Sequence, residues 1–256
     1  MTHRCVTRLR PVAWPAVRLF LFHCAGGSHL MYRGWERAFP ADWDLCLVEA
    51  PGRGRLADLP LAANADELAA FLLPAIAPWL NGPFALFGHS MGGLVAYDMT
   101  LRLAIADLPQ PDWIGISARR PPDDPPPRPT ILHHAMSDAE LRDGLRAMGG
   151  TSPAVLADPR LWAVMAPVLR ADLRISDTWR RPPTPRFVPP PLSVFGGTAD
   201  PCVPPDRLEG WRRYSPRFIG AHRFRGDHFY LHACLPELSR RIVADLAAVQ
   251  GTRLAA

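Results

Sequence analysis

The sequence predicts an α/β fold, a mostly parallel sheet with helices on both faces, and three observations carry that prediction. Short, wholly apolar runs of strand length alternate with stretches of helical periodicity, and strands apolar on both sides belong in a sheet covered on both sides. The 256 residues, 48% hydrophobic and 21% charged, suffice for one large core of this class. The apolar runs end in glycine-bearing turns, and a parallel sheet delivers such turns to a single edge.

Val17 to Cys24 (VRLFLFHC) reads as a strand closed by AGGS, and Leu45 to Glu49 (LCLVE) as another closed by PGRG. Asn64 to Leu80 reads as a helix, with Asn64 as N-cap and Glu67 completing a capping box. Phe84 to Gly88 is a third strand and Gly92 to Ala106 a helix. Trp113 to Ser117 (WIGIS), Leu192 to Gly196 (LSVFG) and Arg217 to Phe224 add strands, and Leu235 to Val249 closes the chain as a helix. The alternation breaks between Arg119 and Pro191, where PPDDPPPRP and RPPTPRFVPPP bracket helix-like segments at Asp138 to Met148 and Arg160 to Trp179. Proline cannot occupy a central strand, and LWAVMAPVL is too periodic for a linker. The expectation is one domain over 1–256 whose insertion, approximately 121–190, lies over the sheet as a helical lid.

All 29 basic residues are arginine, against 24 acidic ones, for a net charge of +5. The arginines are scattered or paired, without the dense basic run of a nucleic-acid patch, so no nucleic-acid partner is expected. Five cysteines (Cys5, Cys24, Cys46, Cys202, Cys234), with no CxxC pair, argue against a disulfide framework and against a zinc site, and suit a reducing cytoplasm. The arginine-bearing N-terminus mimics a leader peptide, but Arg18 interrupts the apolar run, and VRLFLFHCAGG reads as a core strand entering a glycine loop. Leu68 to Leu80, the longest apolar helix candidate, is too short to span a bilayer and contains Pro74 and Pro78. No membrane segment is expected.

Chemistry concentrates at FALFGHSMGGLVAYDMT, Phe84 to Thr100. Gly88-His89-Ser90-Met91-Gly92 is a GxSxG between a strand and a helix, a turn so tight that its flanking positions exclude side chains and hold the Ser90 hydroxyl at the sheet edge. A serine hydroxyl needs a base and a group that orients the base. In chain order these are Asp200, after the strand in SVFGGTADPCV, and His228, in FRGDHFYLH. Asp227 is a rival acid but adjoins His228, where neighbouring side chains diverge; Asp206 opens or precedes a helix. His222 and His232 read as packing or surface residues, and the His133-His134 pair in the insertion as solvated. His228 and His232 have metal-like spacing without a third ligand nearby, so no metal is expected. Oxyanion donors are expected from the backbone N–H of Met91 and, in the loop HCAGGS, of Ala25.

HCAGGS, EAPGRG, FGHSMGG, SARRPP, LRAMGGTSPAVLADP with APVLRADLR, FGGTADPCV and GDHFYLH occur in that order. Together they resemble the type II thioesterases, stand-alone α/β-hydrolase enzymes associated with polyketide synthases and nonribosomal peptide synthetases. The resemblance runs from about Leu19 to the final helix, insertion included. It implies the α/β-hydrolase fold and hydrolysis of acyl thioesters by Ser90, Asp200 and His228, with oxyanion amides at Met91 and Ala25. It also implies acyl or peptidyl carrier protein domains as partners and no cofactor beyond the phosphopantetheine those partners carry; apart from the resemblance, a cytoplasmic monomer is expected. A general carboxylesterase, or an acyltransferase or cyclase, would use the same three residues. Members usually have tyrosine or histidine at the place of Cys24, and often glycine at that of Ala118; LRAMGG has methionine for leucine.

Overall fold

The computed structural model describes residues 2–124, 133–185 and 187–254. The end of PPDDPPPRP (125–129) and Arg186 of the second proline-rich run fall outside them. Strands β1 (Val6–Arg8), β2 (Val17–Phe22), β3 (Trp43–Val48), β4 (Phe84–His89), β5 (Trp113–Ser117), β6 (Leu192–Gly197) and β7 (Phe218–Phe224) form one sheet in the order β1-β3-β2-β4-β5-β6-β7. Only the β1–β3 pair is antiparallel. Strands β2 to β6 are buried along their whole length, as their unbroken apolar character demands.

Alternate residues of each strand feed opposite faces. Phe20, Leu86, Ile114 and Val194 pack with α1 (Ala65–Ile76) and α2 (Met91–Ile105). Leu19, Leu21, Phe87, Trp113 and Phe195 pack with α7 (Leu235–Leu254), through Leu238, Ile242 and Leu246. Between β5 and β6 stands the predicted helical insert: α3 (Asp138–Met148), α4 (Pro153–Ala157) and α5 (Pro159–Thr178). It has its own small core, which includes Leu141, Leu156, Trp162, Leu169 and Leu173. α6 (Tyr230–Ala233) is a single turn. No described helix is long and apolar enough to cross a membrane.

Some boundaries differ from expectation. β1 and α4 are too short to impose a period, and sequence pattern did not reveal them. α1 ends at Ile76, and a 3₁₀ turn carries the chain over Pro78. Asn64 caps α1 by accepting from Glu67 N–H at 2.9 Å, but the returning Glu67 carboxylate takes the N–H of Ala63, not of Asn64. α7 continues past Val249 to Leu254.

What places the site is the position of β2. It pairs with β3 on one side and β4 on the other, so the winding direction reverses between β2 and β4. A crevice opens at such a reversal, beyond the carboxyl ends of the strands. The register pairs Phe22 with Gly88, so the loops that begin at His23 and Ser90 leave the sheet side by side.

Candidate active site

Ser90 sits at the junction of β4 and α2 with φ 57° and ψ −112°, a conformation that costs an L residue about 1–3 kcal/mol. Its neighbours hold it there. A Cβ on Gly88 would lie 1.8 Å from Gly92 O, and one on Gly92 would lie 2.0 Å from Phe22 O. The Ser90 N–H donates to Ser117 O at the end of β5 (2.7 Å), while Ser90 O accepts from Gly93 and Leu94 N–H. Met91 opens α2, where first-turn N–H groups have no partner within the helix.

Asp200 and His228 come together as expected. His228 Nδ1 donates to Asp200 Oδ2 at 2.8 Å, and Asp200 Oδ1 accepts from Cys202 and Val203 N–H at 2.8 and 3.1 Å. The two loops are fastened by backbone: Thr198 N–H donates to Phe224 O and Ala199 N–H to Gly226 O, both at 2.8 Å. A Cβ on Gly197 would meet Asp227 O at 2.1 Å. Both side chains are buried. With the proton on Nδ1, the Nε2 lone pair of His228 is free, and this buried atom has no hydrogen-bond partner among the described residues. Ser90 lines the same cavity without being hydrogen-bonded to it.

The loop after β2 completes the arrangement. Ala25 lines the cavity. Gly26 N–H donates to Asp172 Oδ2 on α5 at 2.8 Å; Arg53 Nη2 reaches Asp172 Oδ1 at 2.7 Å, and Arg53 Nη1 contacts both Asp172 Oδ2 and Gly27 O. Arg53 is 8% and Asp172 1% exposed, so a buried ion pair joins helix α5 to the turn after β3, and both its members reach the loop after β2, at Gly26 and Gly27.

The cavity measures about 650 Å³. Ser90, His228, Cys24 and Ala25 lie along it, and Leu169 and Leu173 of α5 face it from the insert. Burial and the neighbouring Arg120 lower the Arg119 guanidinium to about 10, and burial raises the Cys24 and Cys202 thiols to about 12. Ala118, where glycine is frequent in the resembling family, has φ 49°, a left-handed conformation that glycine adopts without strain.

A family model described as a thioesterase domain matches residues 17–246. The chain belongs to the thioesterase family. Linear gramicidin dehydrogenase LgrE of Brevibacillus parabrevis is 33% identical over 85% of this chain and 82% of its own length. YbtT, a type II thioesterase from the yersiniabactin NRPS/PKS pathway, superposes with a TM-score of 0.85 at 27% identity, covering 96% of this chain and 99% of that one. RedJ, a thioesterase of the prodiginine pathway in Streptomyces coelicolor, gives 0.80 at 31% identity, over 93% and 94%. The fold is the α/β-hydrolase fold and the enzyme is a hydrolase of thioesters.

The rival residues of this thioesterase lie elsewhere or are otherwise engaged. Asp227 turns to Phe229 N–H (2.8 Å), and His222 Nε2 lies 3.3 Å from Asp245. His232 stacks on Phe229. Both residues of the His133-His134 pair lie at the cavity: His133 is exposed, as expected of a solvated residue, while half-buried His134 has its Nδ1 2.7 Å from Asp177 Oδ2. Those three residues, and separately Asp200, Cys202 and His228, are close enough to hold an ion. His89, inside GxSxG, is structural. Its Nδ1 pairs with Ser117 Oγ at 2.8 Å, which in turn pairs with Tyr230 OH at 2.7 Å. Burial, then the charge of His228, holds it well below the usual imidazole range. Arg53 and Asp172 lie 119 positions apart, and no local pattern links them.

Proposed function

We propose that this thioesterase hydrolyses acyl groups held as thioesters on the phosphopantetheine arm of acyl or peptidyl carrier domains, clearing stalled or aberrant chains in polyketide or nonribosomal peptide assembly. The reading of the reaction rests on one observation above all: a buried His228 whose Nδ1 is committed to Asp200 and whose Nε2 is unpaired, on the wall of a cavity shared with Ser90. Unsatisfied buried polar atoms call for an explanation, and catalytic hydrogen bonds often tighten only when substrate is bound.

In this reading Ser90 attacks the thioester carbonyl as Nε2 of His228 takes its proton, and Asp200 steadies the imidazolium. The backbone N–H groups of Met91 and Ala25 receive the oxyanion. The leaving thiol, with an ordinary pKa near about 8.5, needs less protonation than an amine would. Deacylation by a water activated at His228 completes the cycle. Helices α3 to α5 act as a lid, and Leu169 and Leu173 bound the acyl chain. The synthase context is supported by the pathways named for YbtT and RedJ.

The test is a hydrolysis panel of acetyl, propionyl, longer acyl and aminoacyl groups on one carrier protein, run beside matched oxygen esters, with Ser90→Ala and fluorophosphonate labelling as controls. Carrier thioesters should be cleaved fastest, to free acids, with Ser90 labelled. Faster oxygen esters would favour a general esterase. A lactone or transferred ester would favour the cyclase or transferase.

A further inference from the structure

The loop that offers Ala25 to the cavity is fixed by a side chain that resemblance does not single out. His23 is the first residue after β2 and is 3% exposed. Its Nε2 accepts the N–H of Ala50 at 3.2 Å. A backbone amide can only donate, so Nε2 carries the lone pair and, in the neutral ring, Nδ1 carries the proton. That Nδ1 lies 2.8 Å from Cys24 O, and the N–H of Gly27 donates to the same oxygen at 3.0 Å.

Cys24 C=O and Ala25 N–H belong to one trans peptide and point in opposite directions. Two donors on the carbonyl therefore set the direction of the amide. Three further polar groups of the loop are also held: Gly26 N–H by Asp172, Gly27 O by Arg53, and Ser28 O by Met31 N–H. Among the described residues the Ala25 N–H has no acceptor, and Ala25 lines the cavity.

We infer that His23 is the positioning residue of the oxyanion site, a tautomer-locked clamp that joins the β3 exit at Ala50 to the Cys24–Ala25 peptide and turns the Ala25 N–H toward the reacting carbonyl. This rests on the serine-hydrolase reading above. Burial, then the charge of Arg53, lowers the pKa of the ring. That favours the neutral form the clamp requires, since a second proton on Nε2 would face the Ala50 N–H.

The experiment compares His23→Gln, whose amide extends to the Nε2 side, with His23→Asn, whose amide N–H reaches the Nδ1 side, in the full chain. Turnover and KM on an acyl–carrier thioester, affinity for a trifluoromethyl ketone that forms a tetrahedral oxyanion, and melting temperature are read for both. His23→Gln should lose about 10²-fold in kcat with KM little changed, the scale set by misplacing a catalytic group by about 1 Å, and should bind the ketone correspondingly more weakly. His23→Asn should recover about tenfold or more of that loss at similar melting temperature. Equal kcat in the two variants, or losses that track melting temperature and not the amide position, would overturn the inference while leaving Ser90 in its role. Undiminished turnover by Ser90→Ala would overturn the serine reading and this inference with it.

Discussion

Replacing Asp172 by alanine tests how the insert is fastened to the loop beneath it. Asp172 is 1% exposed, takes two arms of an Arg53 guanidinium that is itself 8% exposed, and accepts the Gly26 N–H. The variant strands a buried cation, and removing one partner of such a pair costs about 3–5 kcal/mol. For a chain of this size each kcal/mol lowers Tm by about 2–4 °C, so Asp172→Ala should melt about 6–20 °C early. The paired change Arg53→Met with Asp172→Leu removes both charges and should recover most of that loss. Its turnover should stay low, because Gly26 N–H has no anchor. Urea unfolding of the four corners of the cycle, read with turnover, gives the coupling directly. A loss under about 1 kcal/mol in Asp172→Ala, or a double variant no more stable than the single, would show that the pair does not hold α5 to the loop.

Asp200→Asn should lower kcat by about 10⁴, the scale of losing the correct imidazole tautomer in a serine triad, with little change in melting; near-normal turnover would remove Asp200 from its role. Gly88→Ala and Gly92→Ala should yield no folded protein, since each new Cβ would lie 2.0 Å or less from a backbone oxygen, whereas Gly82→Ala, in open space, should leave the unfolding midpoint unchanged; soluble yield and circular dichroism decide. His23 and His89 are both held below the ordinary imidazole range, so the unfolded chain binds protons there as pH falls past about 6.5 while the native state does not. Their contribution is full above that pH and is lost as pH falls toward the folded values. Urea midpoints should drop between about pH 7.5 and pH 5.5, less steeply in His23→Asn; identical slopes would refute the assignment to His23.

Much of this was legible in the chain because glycine and proline punctuate it. Trp113–Ser117 and Asp138–Met148 begin and end where the pattern places them, since an apolar run meets a turn residue at one and a capping box opens the other. The corner at Ser90 and the loops bearing Asp200 and His228 follow from the order of strands. The three-residue β1 is set by pairing with β3 and not by its own composition. The pairing of His134 with Asp177 of α5 was not legible, because sequence alone does not tell which face of an insert turns inward. Likewise His23, Arg53 and Asp172 converge only in three dimensions, each supplied by a different loop or helix.

Helix α5 holds two tasks on one face: Leu169 and Leu173 bound the cavity, and Asp172 between them grips the loop at Gly26. A guest too bulky for the cavity would push the helix outward, and the helix would draw the Gly26 amide along with it. Under the proposed reaction, misfit would then register as slow turnover and not as weak capture.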